Sequence, residues 1–218
     1  DSVLVGSRIP VAHLWEVRTG EALRNFQIDA HKMFAINAVA FTTDGRHIVA
    51  GGDDGSARLW DVNSTNFSEF RVPTVRESEV FEGRTKKVTS VAFSPDGWYV
   101  LTGNSGNVLL GDERYTARLW DTQTGAEKHV LQGHDAGVTS VTFSPSGDSV
   151  LTGSNDGTAR LWNTETGTEL RAVDPFGHYL IDAVSFSPDG RRFFLGIMHA
   201  ASADFDEWDA QTGEKVED

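Results

Sequence analysis

The 218 residues carry 32 acidic and 19 basic side chains, a formal charge of −13, with 39% hydrophobic residues and no cysteine. The missing cysteine excludes disulfides and thiolate metal sites and suits a reducing, cytoplasmic setting, while the negative charge argues against general binding to nucleic acid, whose phosphates it repels. No stretch reaches the roughly 20 apolar residues of a membrane-spanning helix.

Taken in chain order, one frame recurs five times. It reads Ala12-His13-Leu14-Trp15-Glu16, Ala57-Arg58-Leu59-Trp60-Asp61, Ala117-Arg118-Leu119-Trp120-Asp121, Ala159-Arg160-Leu161-Trp162-Asn163 and, degraded, Phe205-Asp206-Glu207-Trp208-Asp209. The clearest unit covers 138–173. Val138 to Phe143 alternates valine with small polar residues, the period of a half-buried strand. Pro145 to Asp148 turns, Ser149 to Thr152 is a second strand, and Asn155-Asp156-Gly157 has tight-hairpin chemistry. Thr158 to Trp162 and Glu169 to Ala172 complete four predicted antiparallel strands, a to d. The other units are expected at 2–30, 36–72, 88–132 and 182–218. Ser2 to Trp15 aligns with Ser149 to Trp162 without a gap, so the first unit is expected to begin at strand b. The last is expected to end on the Thr212-Gly213 turn and a short strand d within Glu214 to Asp218.

A four-stranded meander has two apolar faces that it cannot cover alone, so stacked copies must cover each other. The frames resemble the WD-repeat (WD40) family of β-propellers, and their wording resembles its bacterial members. The resemblance covers nearly the whole chain and implies an all-β propeller of four-stranded blades. Rings of this family usually have seven blades, so about five repeats suggest either part of a larger ring or an unusual small or assembled one. The resemblance also implies a structural tetrad in each blade, complete in blade 4 as His134, Thr152, Asp156 and Trp162. Blade 2 has Ala50 at the hydroxyl position, with Trp60, Asp54 and His31 as its other candidates, and blade 3 keeps Trp120 and Thr102 but has Arg84 at the histidine position. Blade 1 has Val5 and Ile9 at two of the positions, and blade 5 keeps His178 and Trp208.

Two insertions carry the functional expectation. Phe41 and Phe143 each precede their tryptophan by 19 positions, but Phe93 precedes Trp120 by 27. The excess falls in the b–c loop, around 103–115. The connection before blade 3 also swells, at 73–87. Both should project from one rim, and long loops on a rigid scaffold are where function tends to sit. Apolar anchors beside arginine and tyrosine suit a protein-binding hot spot, which makes Phe70, Arg71, Phe81, Arg84, Lys86, Lys87, Val108, Leu109, Leu110, Arg114 and Tyr115 the candidate contacts. The competing expectation is that these loops only cover each other.

The expected function is therefore a non-catalytic scaffold, the recognition or regulatory arm of a larger, signalling protein. Its partner would be another protein or another domain of the same polypeptide, and self-association through an open ring edge is a further expectation. Nothing in the sequence calls for a cofactor or a metal. The alternative is an enzyme or small-ligand propeller with a site at the central channel or in the blade 5 loop, where His199 lies near Asp204 and Asp206. The Ser-Pro-Asp-Gly segments read as β-turns and not as catalytic carboxylates. Trp98, beside one of them, is expected on the opposite rim.

Overall fold

The computed structural model describes residues 2–9, 11–27, 35–63, 70–71, 87–105, 115–175, 179–198 and 203–216. These form five antiparallel sheets. The first holds β1 (Ser2–Val5), β2 (Val11–Glu16) and β3 (Ala22–Gln27); the second β4 (Ile36–Phe41), β5 (His47–Gly52), β6 (Ala57–Asp61) and β7 (Phe70–Arg71). The third holds β8 (Lys87–Phe93), β9 (Tyr99–Ser105), β10 (Thr116–Asp121) and β11 (Glu127–Gln132). The fourth holds β12 (Val138–Phe143), β13 (Ser149–Ser154), β14 (Ala159–Asn163) and β15 (Glu169–Val173); the fifth β16 (Ile181–Phe186), β17 (Arg192–Met198) and β18 (Ala203–Asp209). Each sheet is a meander in chain order: the second, third and fourth are blades with strands a, b, c and d, while among the described residues the first holds strands b to d and the fifth strands a to c.

Three differences from the sequence reading matter. Strand b of blade 3 runs on to Ser105, so Gly103 to Ser105 pair with strand a instead of opening a loop. Lys87 likewise belongs to β8 and not to the insertion before it. In blade 5 the expected strand d is reduced to one bridge between Trp208 and Lys215.

The a–b turns explain how the strands are set. In three of them a hydroxyl at the turn's first position donates to the aspartate two residues on and accepts the N–H five residues on: Thr42 with Asp44 and His47, Ser94 with Asp96 and Tyr99, Ser187 with Asp189 and Arg192. Gly45, Gly97, Gly147 and Gly190 follow at φ of 69°, 77°, 78° and 71°, a conformation that side chains disfavour. These carboxylates are committed to their turns, which accounts for the Ser-Pro-Asp-Gly wording.

The inner strands β4, β8, β12 and β16 lie side by side, and β1 packs beside β4. The core is accordingly divided into four layers, one between each successive pair of blades. Each layer is built alike. One blade offers the alanine and leucine of its strand c, such as Ala117 and Leu119; the next offers two β-branched residues of strand a and its tryptophan, such as Val138, Val141 and Trp162. The two β-branched residues press against a bare glycine in strand b of the preceding blade. A Cβ on Gly51 would lie 2.3 Å from Val88, on Gly103 2.8 Å from Val138, and on Gly153 2.7 Å from both Ile181 and Val184. Gly6 meets Ile36 in the same way, at 2.9 Å.

A second set of bonds crosses each layer. Strands a carry a bulge after their first apolar residue, and the bulged residue donates to a backbone carbonyl of the next blade. Asn37 reaches the Val88 oxygen at 3.0 Å, Thr89 that of Val138 at 2.5 Å and Thr139 that of Ile181. Strand d clasps the outer belt, where Arg24 donates to the Val62 carbonyl and Arg171 to those of Gln211 and Thr212. Among the described residues no strand of blade 5 packs extensively on blade 1.

The glycine contact predicts a position-dependent result. Gly103→Ala should destabilise by about 1–3 kcal/mol through overpacking, whereas Gly196→Ala should be near neutral, because a Cβ there meets only Ala183 at 3.4 Å. Urea-unfolding midpoints of the two variants test this.

Candidate partner-binding rim and the buried tetrad

The rim is built from the roots of the two long connections. In blade 2, Phe70 and Arg71 form β7, with Arg71 opposite Arg58 at the start of strand c. In blade 3, Lys87 stands directly opposite Ser105. The residue on which the first connection returns and the residue on which the second departs are thus cross-strand neighbours. Tyr115, half-buried, leads back into β10. Phe81, Arg84, Lys86, Val108, Leu109, Leu110 and Arg114 lie outside the described residues, as do His31, His178 and His199.

Lys87 pairs with Asp53 of blade 2 at 3.0 Å, and Asn37 donates to the same carboxylate at 2.9 Å. The Asn37 bond, with the Lys87 bond and charge behind it, outweighs partial burial and holds Asp53 below the usual carboxylate range. Asn37 and Asp53 were missed by the sequence reading. Their signal was positional: Asn37 follows Ile36 as Thr89 follows Val88 and Thr139 follows Val138.

The tetrad of blade 4 is assembled. The Trp162 indole donates to the Thr152 hydroxyl at 3.0 Å, Thr152 lies 2.8 Å from His134 Nε2, and His134 Nδ1 lies 2.9 Å from Asp156. Asp156 can only accept when ionised, so Nδ1 carries the hydrogen and Nε2 accepts from Thr152. Asp156 also accepts from the hydroxyl and N–H of Thr158 and from the N–H of Asp135. Burial opposes its ionisation and is the largest single effect. The hydrogen bonds from His134 and Thr158 together exceed it, holding the carboxyl well below the usual range. The constellation is a sealed bracket between turn and strand. His134 and Thr152 are buried, which suits positioning of the b–c turn better than chemistry.

The other blades keep fragments. In blade 3 the Trp120 indole donates to Thr102 at 3.1 Å. In blade 2, Asp54 holds Arg58 at 2.9 Å and caps Ser56. In blade 5, Leu195 takes the register position of Thr152, and the Trp208 indole has no acceptor among the described residues. Asp206 is buried and paired with Lys215 at 2.8 Å. It takes the place of the strand-c arginine that in blades 3 and 4 pairs with Glu127 and Glu169. The pair's polarity is reversed, which gives Asp206 a structural partner. No cluster of three metal-ligating side chains occurs among the described residues, and no helix there is long and apolar enough to cross a membrane.

On the opposite rim, a shallow pocket of about 330 Å³ opens between the a–b turns of blades 2 and 3, lined by Thr42, Asp44, His47 and Asp96 among others. Both carboxylates are already held by their turn hydroxyls. Trp98 stands 52% exposed on the same rim.

Four-stranded meanders stacked through a strand-c tryptophan, with a His–Thr–Trp–Asp bracket, define the chain as a repeat protein of the β-propeller class. The family model "WD domain, G-beta repeat" matches residues 21–61, 76–121 and 125–163. These matches span more than half of the sequence, and the chain belongs to the WD-repeat family. Among curated relatives it is similar to a guanine nucleotide-binding protein subunit beta of Arabidopsis thaliana, 32% identical over 121 residues, 55% of this chain and 28% of that protein. It is 33% identical over 113 residues to human WD repeat-containing protein 18, 51% of this chain and 23% of that protein. It is 29% identical over 89 residues to the target of rapamycin complex subunit LST8 of Rattus norvegicus, 41% of this chain and 22% of that protein. The chain therefore spans less than a third of the length of each of these relatives.

Two outcomes follow for the tetrad. Thr152→Val should cost about 2–3 kcal/mol, since it leaves the Trp162 and His134 nitrogens buried without a partner; Thr102→Val, which strands one indole, should cost less. Because the Asp156 carboxyl is depressed in the folded state, its contribution is complete above the ordinary carboxylate pKa and is lost as pH falls below it. Stability of the parent should thus fall more steeply between pH 5 and pH 2 than that of Asp156→Asn, as read from urea midpoints across that range.

Proposed function

We propose that this chain is a non-catalytic scaffold that holds a protein partner, or another domain of its own polypeptide, on the rim carrying the two long connections. The observation that carries this reading is the pairing of Lys87 with Ser105, with Lys87 also tied to Asp53. Two long segments have their roots on one rigid ladder, and a partner binding there meets roots that lose little further entropy. Family membership supports the scaffold role. Two of the similar proteins are, by their names, subunits of larger assemblies, which favours a binding role over catalysis here. In this reading Phe70, Phe81 and Val108 to Leu110 supply apolar anchors, with Arg71, Arg84, Lys86, Arg114 and Tyr115 around them.

The test is affinity capture from native lysate with the natural full-length protein as bait. A second bait carries Gly/Ser sequence in place of residues 73–82 and 106–113, and a third carries Trp98→Ala. Circular dichroism establishes that all three are folded. The expected outcome is a partner retained by the parent and by Trp98→Ala and lost from the Gly/Ser bait. Equal capture by the parent and the Gly/Ser bait refutes the assignment to this rim.

A further inference from the structure

On the rim opposite the long connections, the a–b turns of successive blades interlock. Pro95 of blade 3 lies on Gly147 of blade 4, and Pro145 of blade 4 lies on Gly190 of blade 5. In each case the proline Cδ is 3.4 Å from where a glycine Cβ would stand. At the junction of blades 2 and 3 the proline position holds Thr43. Gly97 there meets only the methyl group of Thr42, at 3.5 Å, and the Thr43 hydroxyl donates to the Pro95 carbonyl at 3.0 Å. The pocket of about 330 Å³ opens at this junction, lined by Thr43, Asp44 and His47 from blade 2 and by Pro95 and Asp96 from blade 3.

Both blades bring a carboxylate to it. Asp44 accepts its turn bonds, from the Thr42 hydroxyl and the Arg46 N–H, on Oδ1. Asp96 accepts those of the Ser94 hydroxyl and the Trp98 N–H on Oδ1 as well. Each Oδ2 is left outside its turn. Among the described residues, the Asp44 Oδ2 has only the exposed Arg46 Nε, at 3.7 Å, and the Asp96 Oδ2 has no protein partner. The Thr42 bond, backed by the Arg46 N–H, holds the Asp44 carboxyl below the usual range, so it is charged at neutral pH. The half-buried His47 ring makes no hydrogen bond or ion pair among the described residues. Its counterparts at the start of strand b are engaged, Tyr99 with Lys128 and Arg192 with Glu207. Trp98, next in the chain after Gly97, is 52% exposed.

We propose that this pocket receives an arginine side chain from an extended segment of a partner protein. The choice follows from charge and shape. Two carboxylate oxygens, one from each blade, stand outside their turns and call for a positive group. No cluster of three metal-ligating side chains occurs among the described residues, so that group is not a metal held by protein ligands alone. A guanidinium presents five donors in a planar fork, enough to meet an oxygen of each blade, and it stacks on aromatic side chains such as His47 and Trp98. An ammonium is a compact charge that keeps its water. The pocket is shallow and opens on the rim, so the side chain would come from a segment lying across the two turns. It is on the opposite rim from the long connections, so this inference and the function proposed above fail separately.

The test is fluorescence anisotropy on the natural full-length protein. The probes are three labelled, capped peptides that differ in one residue, arginine, lysine or citrulline, set between two leucines in a glycine–serine chain. The variants are Asp96→Asn, which keeps the oxygen that its turn uses, and Thr43→Pro, which restores the ring present at the next two junctions. Asp189→Asn makes the same charge change in the blade 5 turn of the same rim and serves as control. Circular dichroism establishes that all are folded. The expected result is saturable binding of the arginine peptide, tighter than that of the lysine and citrulline peptides by about threefold or more. Asp96→Asn and Thr43→Pro should each weaken it by a similar factor, the first by removing a charge-assisted bond and the second by filling the space, and Asp189→Asn should leave it unchanged. Equal affinity for the citrulline or lysine peptide would overturn the choice of a guanidinium. An equal loss in Asp189→Asn would reduce the effect to attraction by an acidic protein. Full affinity in Asp96→Asn, or in a folded Thr43→Pro, would remove the site from this pocket.

Discussion

The contact between a pair of β-branched residues and a bare glycine is the constraint on which this molecule depends. A blade of four short strands encloses no core of its own. Its apolar residues are covered only when the next blade lies against it, and Gly51, Gly103 and Gly153 set how closely that blade can approach. At that distance the bulged residues of strand a reach the neighbouring carbonyls, and the strand-c tryptophans of blades 2 to 5 are covered. Stability is then a sum over neighbouring interfaces, as expected for stacked repeats.

This arrangement explains why the repeats tolerate decay of the tetrad. Blade 4 has the whole bracket, blade 3 keeps the tryptophan–threonine bond, and blade 5 has leucine in place of the threonine. The bracket secures the b–c turn, whereas stacking is carried by the apolar layer, so a blade that loses the first retains the second. Blade 3 illustrates the trade. Its b–c connection has grown most, and its tryptophan still binds Thr102 while the lengthened segment leaves from Ser105.

Function in such a scaffold is a property of what the blades leave uncovered. On the rim of the two long connections, length is added between roots that the blades hold in place. Lys87, Asp53 and Asn37 hold those roots, by a charged pair and an amide that bridge blades 2 and 3.

The sequence by itself determined the strand content and the repeat order, because the Ala-Arg-Leu-Trp frame and the alternation of Val138 to Phe143 are local signals with a fixed period; the family and the residues of the blade 4 bracket came with the resemblance that those frames carry. It also located the lengthened connections by counting from phenylalanine to tryptophan. Only the tertiary structure decided that Gly103 to Ser105 continue strand b, that Lys87 faces Ser105, and that Asn37 and Asp53 belong to the same rim. Those facts depend on register and on contacts between blades, which link residues far apart in the chain. The reversed pair of Asp206 and Lys215 was hidden for the same reason. A charge reads as solvated surface in sequence, and becomes structural only when a neighbouring strand brings its counter-charge to it.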